Sequence, residues 1–218
     1  MTKTITVKGI GNVSASPDYV IISMGLESMN KEYGMAMELA ANNIELLTET
    51  LVRVGFEKEV LKTTNFNVRS DYESVRNKDG SFESVFRGYV VVHNLKVEFD
   101  FESDLLSKAL SAIGSCLAHP QLSIAFTVKD PTAISEEILQ AATLNARRKA
   151  EILCEASGKK LGELLSIEYN LGGLNIFSNT RYDISDECLA SHMMAKSIAF
   201  EPDDIDVSDT ATFVWEIV

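Results

Sequence analysis

One local pattern, a strand followed by a long helix and a closing glycine, occurs twice in this chain and restricts its fold more than any other feature. Pro17 precedes an apolar run and a helical pattern that ends at Gly55, and Pro120 precedes a second run and helix that end at Gly158. Both intervals are 38 residues (55 − 17 and 158 − 120). Glycine at such positions is typical of a left-handed helix cap. The pattern predicts two βαβ-like pseudo-repeats. They span about residues 17–70 and 120–171.

Between the pseudo-repeats, two long alternating segments predict a β-hairpin. They run from about Val60 to Val75 and from Phe82 to Phe99, and Asp79-Gly80 between them favours a tight turn. Arms of about 16 residues exceed the usual strand length of roughly 3–10 residues, so we expect the hairpin to extend beyond its own sheet. Its outer part still carries apolar side chains, which need a partner. The residues that we predict in a contact between subunits are Tyr72, Phe82 and Phe86.

The other elements complete an α+β chain with two long helices, one short helix and a mixed or antiparallel sheet. Alternation predicts a first strand from Thr4 to Lys8 and a terminal strand at about 205–217. Residues 172–204 have the pattern of an irregular acidic segment, with a helical turn or two at about 185–195. Since no linker rich in Pro, Gly or Ser divides the chain, we expect a single domain over residues 1–218.

Composition restricts the partners and the location of the protein. A formal net charge of −12 disfavours nucleic acid and anionic membranes, which attract Lys and Arg. The three cysteines are an odd number and lie far apart, as is typical of free thiols in a reducing compartment. The chain starts directly with a strand pattern and has no apolar core of a secretory signal. We therefore predict an acidic cytoplasmic protein that binds neither nucleic acid nor membrane.

Candidate sites for cofactors and metals are weak. Gly9-x-Gly11 lacks the third glycine of a dinucleotide-binding loop, because Ser14 stands there and a strand pattern follows. We interpret these glycines as a bulge. Cys188 and His192 are spaced i, i+4 and could offer soft ligands to Cu(I) or zinc, but no second pair completes a site. The sequence predicts no cofactor and no catalytic residue.

Two other groups of polar residues have ordinary explanations. His93 lies on the apolar face of its predicted strand, which favours a core or interface histidine over a catalytic base. Arg147, Arg148 and Lys149 point about 100° apart around a helix, so they do not converge on a ligand. We expect them to form a solvated helix face.

An ordered set of short motifs covers nearly the whole chain. The motifs are Ile5–Gly11, Ser16–Asp18, Gly55-Phe56, Leu61–Phe66, Arg87–Tyr89, Ala146 with Lys149–Glu151, Gly158–Gly162 and Phe200–Ser208. Together they resemble the SIMPL domain family, a group classed as a domain of unknown function. The resemblance implies an α+β fold with no established catalytic activity. Members of that family include a signalling protein that associates with a pelle-like kinase, periplasmic immunogenic proteins that look like ring-forming oligomers, and proteins linked to oxidative stress.

Two functional hypotheses follow from these patterns. The first is a non-enzymatic SIMPL-family protein that self-assembles or binds a protein partner. Its expected state is a homo-oligomer, and its expected role is in a stress response. The alternative is a small-molecule binder or enzyme with a site between the two βαβ lobes and a lid at about 172–200. The overlong hairpin and the lack of a convergent catalytic set favour the first.

Overall fold

Residues 3–170, 172–184 and 200–218 are described by a computed structural model of the chain. In this part of the chain, three α-helices and eight strands form two sheets, which confirms the predicted α+β class. A short 3₁₀ turn at Lys58–Val60 joins the first helix to the third strand. The elements in chain order are β1 (Thr4–Ala15), β2 (Tyr19–Asn30), α1 (Tyr33–Val54), β3 (Lys62–Arg76), β4 (Phe82–Asp100), α2 (Ser103–Gly114), β5 (Gln121–Thr127), α3 (Pro131–Ala156), β6 (Leu161–Glu168), β7 (Phe177–Ile184) and β8 (Ile205–Ile217).

The chain divides into two compact units. The first, which we call the hairpin unit, contains Tyr19–Phe126 together with the segment that starts at Thr180. The second, the α3 unit, contains the chain up to Asp18, Thr127–Asn179 and Pro202–Val218. A single domain over the whole chain stays a prediction.

The core of the hairpin unit lies between the sheet and the helices α1 and α2. Alternate residues of β2 point to this side, and they are almost completely buried with their neighbours on β4 and β5. Leu47 and Leu51 of α1 pack onto the same cluster, as do Leu106 and Leu110 of α2. The buried residues of β2 are Val20, Ile22, Met24 and Leu26.

The first pseudo-repeat forms a crossover within the five-stranded sheet, whose order is β3-β4-β2-β5-β7. Both β2 and β3 pair antiparallel with β4, so they run parallel to each other and α1 connects them. Gly55 ends α1 with a φ of 112°, and its N–H donates to the Val52 carbonyl, as the C-cap prediction requires. The second pseudo-repeat has the same order of elements, but β5 belongs to the five-stranded sheet and β6 to the three-stranded one.

In the α3 unit, helix α3 packs closely onto β1 because two glycines of the strand leave room for it. The three-stranded sheet has the order β1-β8-β6. A Cβ atom at Gly9 would lie 2.1 Å from the Ala142 carbonyl oxygen, and one at Gly11 would lie 2.1 Å from that of Ile138. The register of β1 with β8 is continuous from Thr4 to Ala15. The bulge that we predict at these glycines is therefore wrong, and their role is helix contact.

The free edge of β1 is covered by side chains of α3. The Ile10 N–H donates to Asn145 Oδ1 at 3.1 Å, and Lys149 Nζ donates to the Lys8 carbonyl oxygen at 3.3 Å. The Lys8 carbonyl and the Ile10 N–H belong to residues two apart on β1. Both point away from β8, because the backbone groups of alternate residues in an antiparallel strand point to the same side. Edge groups that are already hydrogen-bonded are poor templates for an added strand.

Other boundaries differ from the sequence prediction in detail. The segment 172–204 contains β7, a strand of eight residues that hydrophobic periodicity does not indicate. Strand β8 covers the predicted 205–217. The helical turn predicted at 185–195 lies outside the described residues.

Candidate interaction surface

The hairpin formed by β3 and β4 extends beyond the end of the neighbouring strand. Strand β2 ends at Asn30, which pairs with Tyr89, and residues 82–88 of β4 pair with β3 alone. At a rise of about 3.4 Å per residue, this outer part is roughly 24 Å long. We call it the arm. It confirms the sequence-based expectation that the hairpin overhangs its sheet.

A bulge at the base of the arm determines which side chains share a face. The register of β3 with β4 shifts between Asp71 and Tyr72, so that Arg87 is the extra residue on β4. Phe86 and Tyr89 would lie on opposite faces of a regular strand, yet the extra residue brings them together with ring centroids 5.3 Å apart. A Cβ atom at Gly88 would lie 2.6 Å from the Asn30 carbonyl oxygen, so this close approach to β2 requires glycine.

Aromatic side chains form a continuous strip from the start of α1 along one face of the arm. Edge-to-face contacts join Tyr33 to Tyr89 at 5.5 Å, Tyr89 to Phe86 at 5.3 Å and Phe86 to Tyr72 at 5.5 Å. Phe82 lies farther along the same face, where it is 70% exposed, and Tyr72 is 57% exposed. We call these five residues the aromatic strip. The three residues predicted from the sequence all belong to it, while Tyr33 and Tyr89 were not predicted.

The opposite face of the arm base is charged. Asp71 lies 3.4 Å from Arg69 and 3.4 Å from Arg87, and Arg87 lies 3.9 Å from Glu73. These side chains are mostly solvent-exposed, so each pair contributes little to stability. They keep the base of this face hydrated, while farther out the same face carries Val75 and Val85, which are exposed. The aromatic rings of the arm lie on the other face.

The loop at the tip of the arm is held by a short network of hydrogen bonds. The carboxylate of Asp79 accepts from the Ser81 hydroxyl at 2.6 Å and from the Ser81 N–H at 2.9 Å. These bonds hold the pKa of Asp79 below its usual value, with the side-chain bond as the largest cause. Gly80 has a φ of 88°, as predicted for the Asp-Gly turn. The tip is thus a defined turn that presents Phe82 at its end.

His93 is buried under the helices of the hairpin unit, as its apolar strand face predicts. It is 7% exposed, its Nε2 lies 2.8 Å from the Thr63 hydroxyl, and the edge of its ring meets Phe66 at 5.1 Å. Its buried Nδ1 has no hydrogen-bond partner in the described part of the chain. Burial lowers the pKa of His93 because desolvation penalises the charged imidazolium. A buried, neutral histidine is suited to a core role.

The remaining polar candidates do not converge on a site. Cys188 and His192, the weak metal candidates, lie outside the described residues. Within the described ranges, no group of three or more His, Cys, Asp or Glu residues could hold a metal ion. Arg147 pairs with Glu151 at 3.0 Å along the helix, while Lys149 binds the backbone of β1.

Comparison with known proteins establishes the family. The family model of SIMPL, described as a protein of unknown function (DUF541), matches residues 5–215. The chain belongs to the SIMPL family. Its relatives include the 26 kDa periplasmic immunogenic protein of Brucella melitensis, 28% identical over 166 residues, and the uncharacterized protein YggE of Escherichia coli K12, 25% identical over 170 residues. These alignments cover 75% and 77% of this chain and 65% of each relative.

Two consequences follow for this member of the SIMPL family. It spans about two thirds of the length of the curated relatives that it matches, 65% in each case. The Brucella relative is named as a periplasmic protein, so the comparison does not support our predicted cytoplasmic location. Among the described elements, no helix has the length and hydropathy needed to cross a membrane.

Proposed function

We propose that this chain is a non-enzymatic assembly protein, in which the aromatic strip of the arm lies in a contact between copies of the chain. The observation that supports the proposal is the strip itself. Tyr33, Tyr89, Phe86 and Tyr72 are joined by ring contacts, and Phe82 lies on the same face of a hairpin that leaves its own sheet. Scattered exposed apolar residues are normal in monomers, but a contiguous patch is typical of an interaction site.

The exposed area of the strip is large enough to form a substantial part of a protein interface. Tyr33, Tyr72, Phe82 and Phe86 are 53%, 57%, 70% and 38% exposed. With about 200 Å² for an aromatic residue, the strip leaves roughly 400–450 Å² of aromatic surface in water. A standard interface covers about 800 Å² on each partner, so the strip would supply about half and the backbone and polar rim of the arm the rest.

The contribution of one ring can be estimated from its exposure. Phe82 leaves about 140 Å² uncovered, and at about 25 cal/mol per Å² its complete burial in a contact would contribute roughly 3.5 kcal/mol. Each 1.4 kcal/mol changes a dissociation constant tenfold, so losing Phe82 would weaken association by up to about 300-fold. Association of whole chains opposes this gain through lost freedom of motion, so we expect an assembly that depends on concentration.

Sedimentation velocity between about 1 and 100 µM tests the proposal, a range that brackets the micromolar affinities of weak complexes. The unmodified chain is expected to sediment as a species larger than one chain, and Phe82→Asp or Phe86→Asp is expected to sediment as a single chain. The matched control is Leu117→Asp, because Leu117 is 76% exposed in the same unit but lies outside the arm. A single-chain mass for the unmodified protein over the whole range, or equal dissociation by the control, would refute the proposal.

A further inference from the structure

A second surface of the hairpin unit, independent of the arm, has the features of a small binding groove. It lies on the five-stranded sheet and has a volume of about 380 Å³. It crosses four strands, and its polar lining consists of short side chains. The residues that form it around Gly25 are Ser23, Thr64, Asn94, Gln121 and Ser123.

The groove exists because Gly25 has no side chain. A Cβ atom at Gly25 would meet Asn94 Oδ1 at 3.7 Å and the Gln121 Cβ at 3.9 Å, both ordinary contacts. The backbone of Gly25 is therefore the floor, and the two amide side chains stand beside it. A larger residue at this position would fit the sheet but would fill the groove.

The lining offers hydrogen bonds without charge. The side chains of Ser23, Asn94, Gln121 and Ser123 make no hydrogen bond to any other described residue. Amides and hydroxyls both donate and accept, so together they can bind a neutral molecule that carries groups of both kinds. No charged side chain is among the lining residues, and Lys96 nearby pairs with Glu98 at 2.6 Å.

We propose that this groove binds a neutral polyhydroxylated molecule of one or two sugar rings. Its volume lies at the lower end of the roughly 300–1,000 Å³ of ligand sites, which suits a ligand of that size. The absence of a cation and of a carboxylate among the lining residues excludes phosphorylated sugars and metal complexes as preferred ligands. The lining also includes Met24, Leu95 and Leu122. We expect weak binding, because desolvation of the polar groups offsets most of the hydrogen-bond gain.

Nuclear magnetic resonance with maltose and N-acetylglucosamine as probes tests the assignment. Titration of the ¹⁵N-labelled chain is expected to shift the side-chain amide signals of Asn94 and Gln121 in a saturable manner. Gly25→Val is expected to weaken binding at least tenfold and to preserve the fold, since valine suits a strand and its Cβ meets only ordinary contacts. Glucose 6-phosphate serves as the charged control and is expected to bind less tightly than either neutral probe.

A second variant separates loss of binding from loss of structure. Ser123→Val removes one hydroxyl at the groove and leaves Gly25 intact, so it should weaken binding without a change in the amide spectrum elsewhere. No saturable shift with either probe, or equal shifts in the unmodified chain and Gly25→Val, would overturn the proposal. Sedimentation of the Gly25→Val variant should equal that of the unmodified chain, which keeps this result distinct from the test of the arm.

Discussion

The contact of Gly9 with α3 predicts that adding a single methyl group will destabilise the α3 unit. In Gly9→Ala, the new Cβ would lie 2.1 Å from the Ala142 carbonyl oxygen and 2.8 Å from the Ala146 Cβ. Ordinary contact begins at 3.4 Å, so the helix must move away from β1 by about 1.3 Å. Because the obstacle is backbone, no change of rotamer can relieve it.

The size of the effect follows from two opposing terms. Overpacking a well-packed contact costs typically about 1–3 kcal/mol, since the helix loses contact with the sheet on both sides of the clash. Replacing glycine by alanine also restricts the unfolded chain, which stabilises by about 0.4–1 kcal/mol. We expect a net loss of about 1–2 kcal/mol in the free energy of unfolding, or more if α3 cannot shift as a rigid body.

Urea unfolding followed by tryptophan fluorescence measures the loss of stability in the α3 unit itself. Trp215 is the single tryptophan, and it is buried beneath α3 with Val7, Ala146 and Ala150. The matched control is Gly173→Ala in the same unit, where a new Cβ would meet nothing within 4 Å. That variant should be unchanged or slightly more stable. If Gly9→Ala unfolds at the same urea concentration as Gly173→Ala, the close approach of helix and strand is not as described.

Three further predictions concern other parts of the chain. Asp130→Ala should destabilise the α3 unit by about 1 kcal/mol, measured by Trp215 fluorescence, because the Asp130 side chain caps α3 by accepting from the Thr132 N–H at 2.9 Å. Asp130→Asn should retain most of that stability. Equal loss in both variants would contradict the capping role. Because burial lowers the pKa of His93, the unfolded chain binds a proton at this residue before the folded chain does as the pH falls below about 6.5. The contribution of His93 to stability is therefore complete above about pH 6.5 and is lost on acidification. The melting temperatures measured by circular dichroism at pH 8 and pH 5 should differ more for the unmodified chain than for His93→Gln. Asn145→Ala should speed hydrogen exchange at Ile10, and unchanged exchange would mean that the Asn145 amide does not protect that N–H.

Sequence patterns predicted a structural feature correctly where its physical cause lies within the same stretch of chain. The apolar run after Pro17 and the helix end at Gly55 lie within one element or its boundary, and the structure has both as predicted. The role of Gly9-x-Gly11 was mistaken because the helix that requires these glycines lies far along the chain, as the 135-residue separation of Ile10 and Asn145 shows. A glycine beside a helix and a glycine in a bulge give the same local signal.

The candidate surfaces show the same division between local and distant causes. Exposed aromatic residues on an overlong hairpin could be identified from the sequence, but the joining of Tyr33 and Tyr89 to them depends on the register shift at Arg87. The groove around Gly25 was not predicted, because its lining comes from four strands and contains no motif. Serine, asparagine and glutamine on a strand face carry no signal that distinguishes a site from a hydrated surface.

The covered edge of β1 limits how far copies of this chain could assemble by strand pairing through the three-stranded sheet. With Asn145 and Lys149 bound to one edge, the three-stranded sheet can accept a strand only beside β6. Two copies joined β6 to β6 would form one six-stranded sheet with a covered β1 at both ends, and no third copy could be added to that sheet. Such pairing would terminate at two chains, whereas a sheet with two open edges could propagate into a fibre.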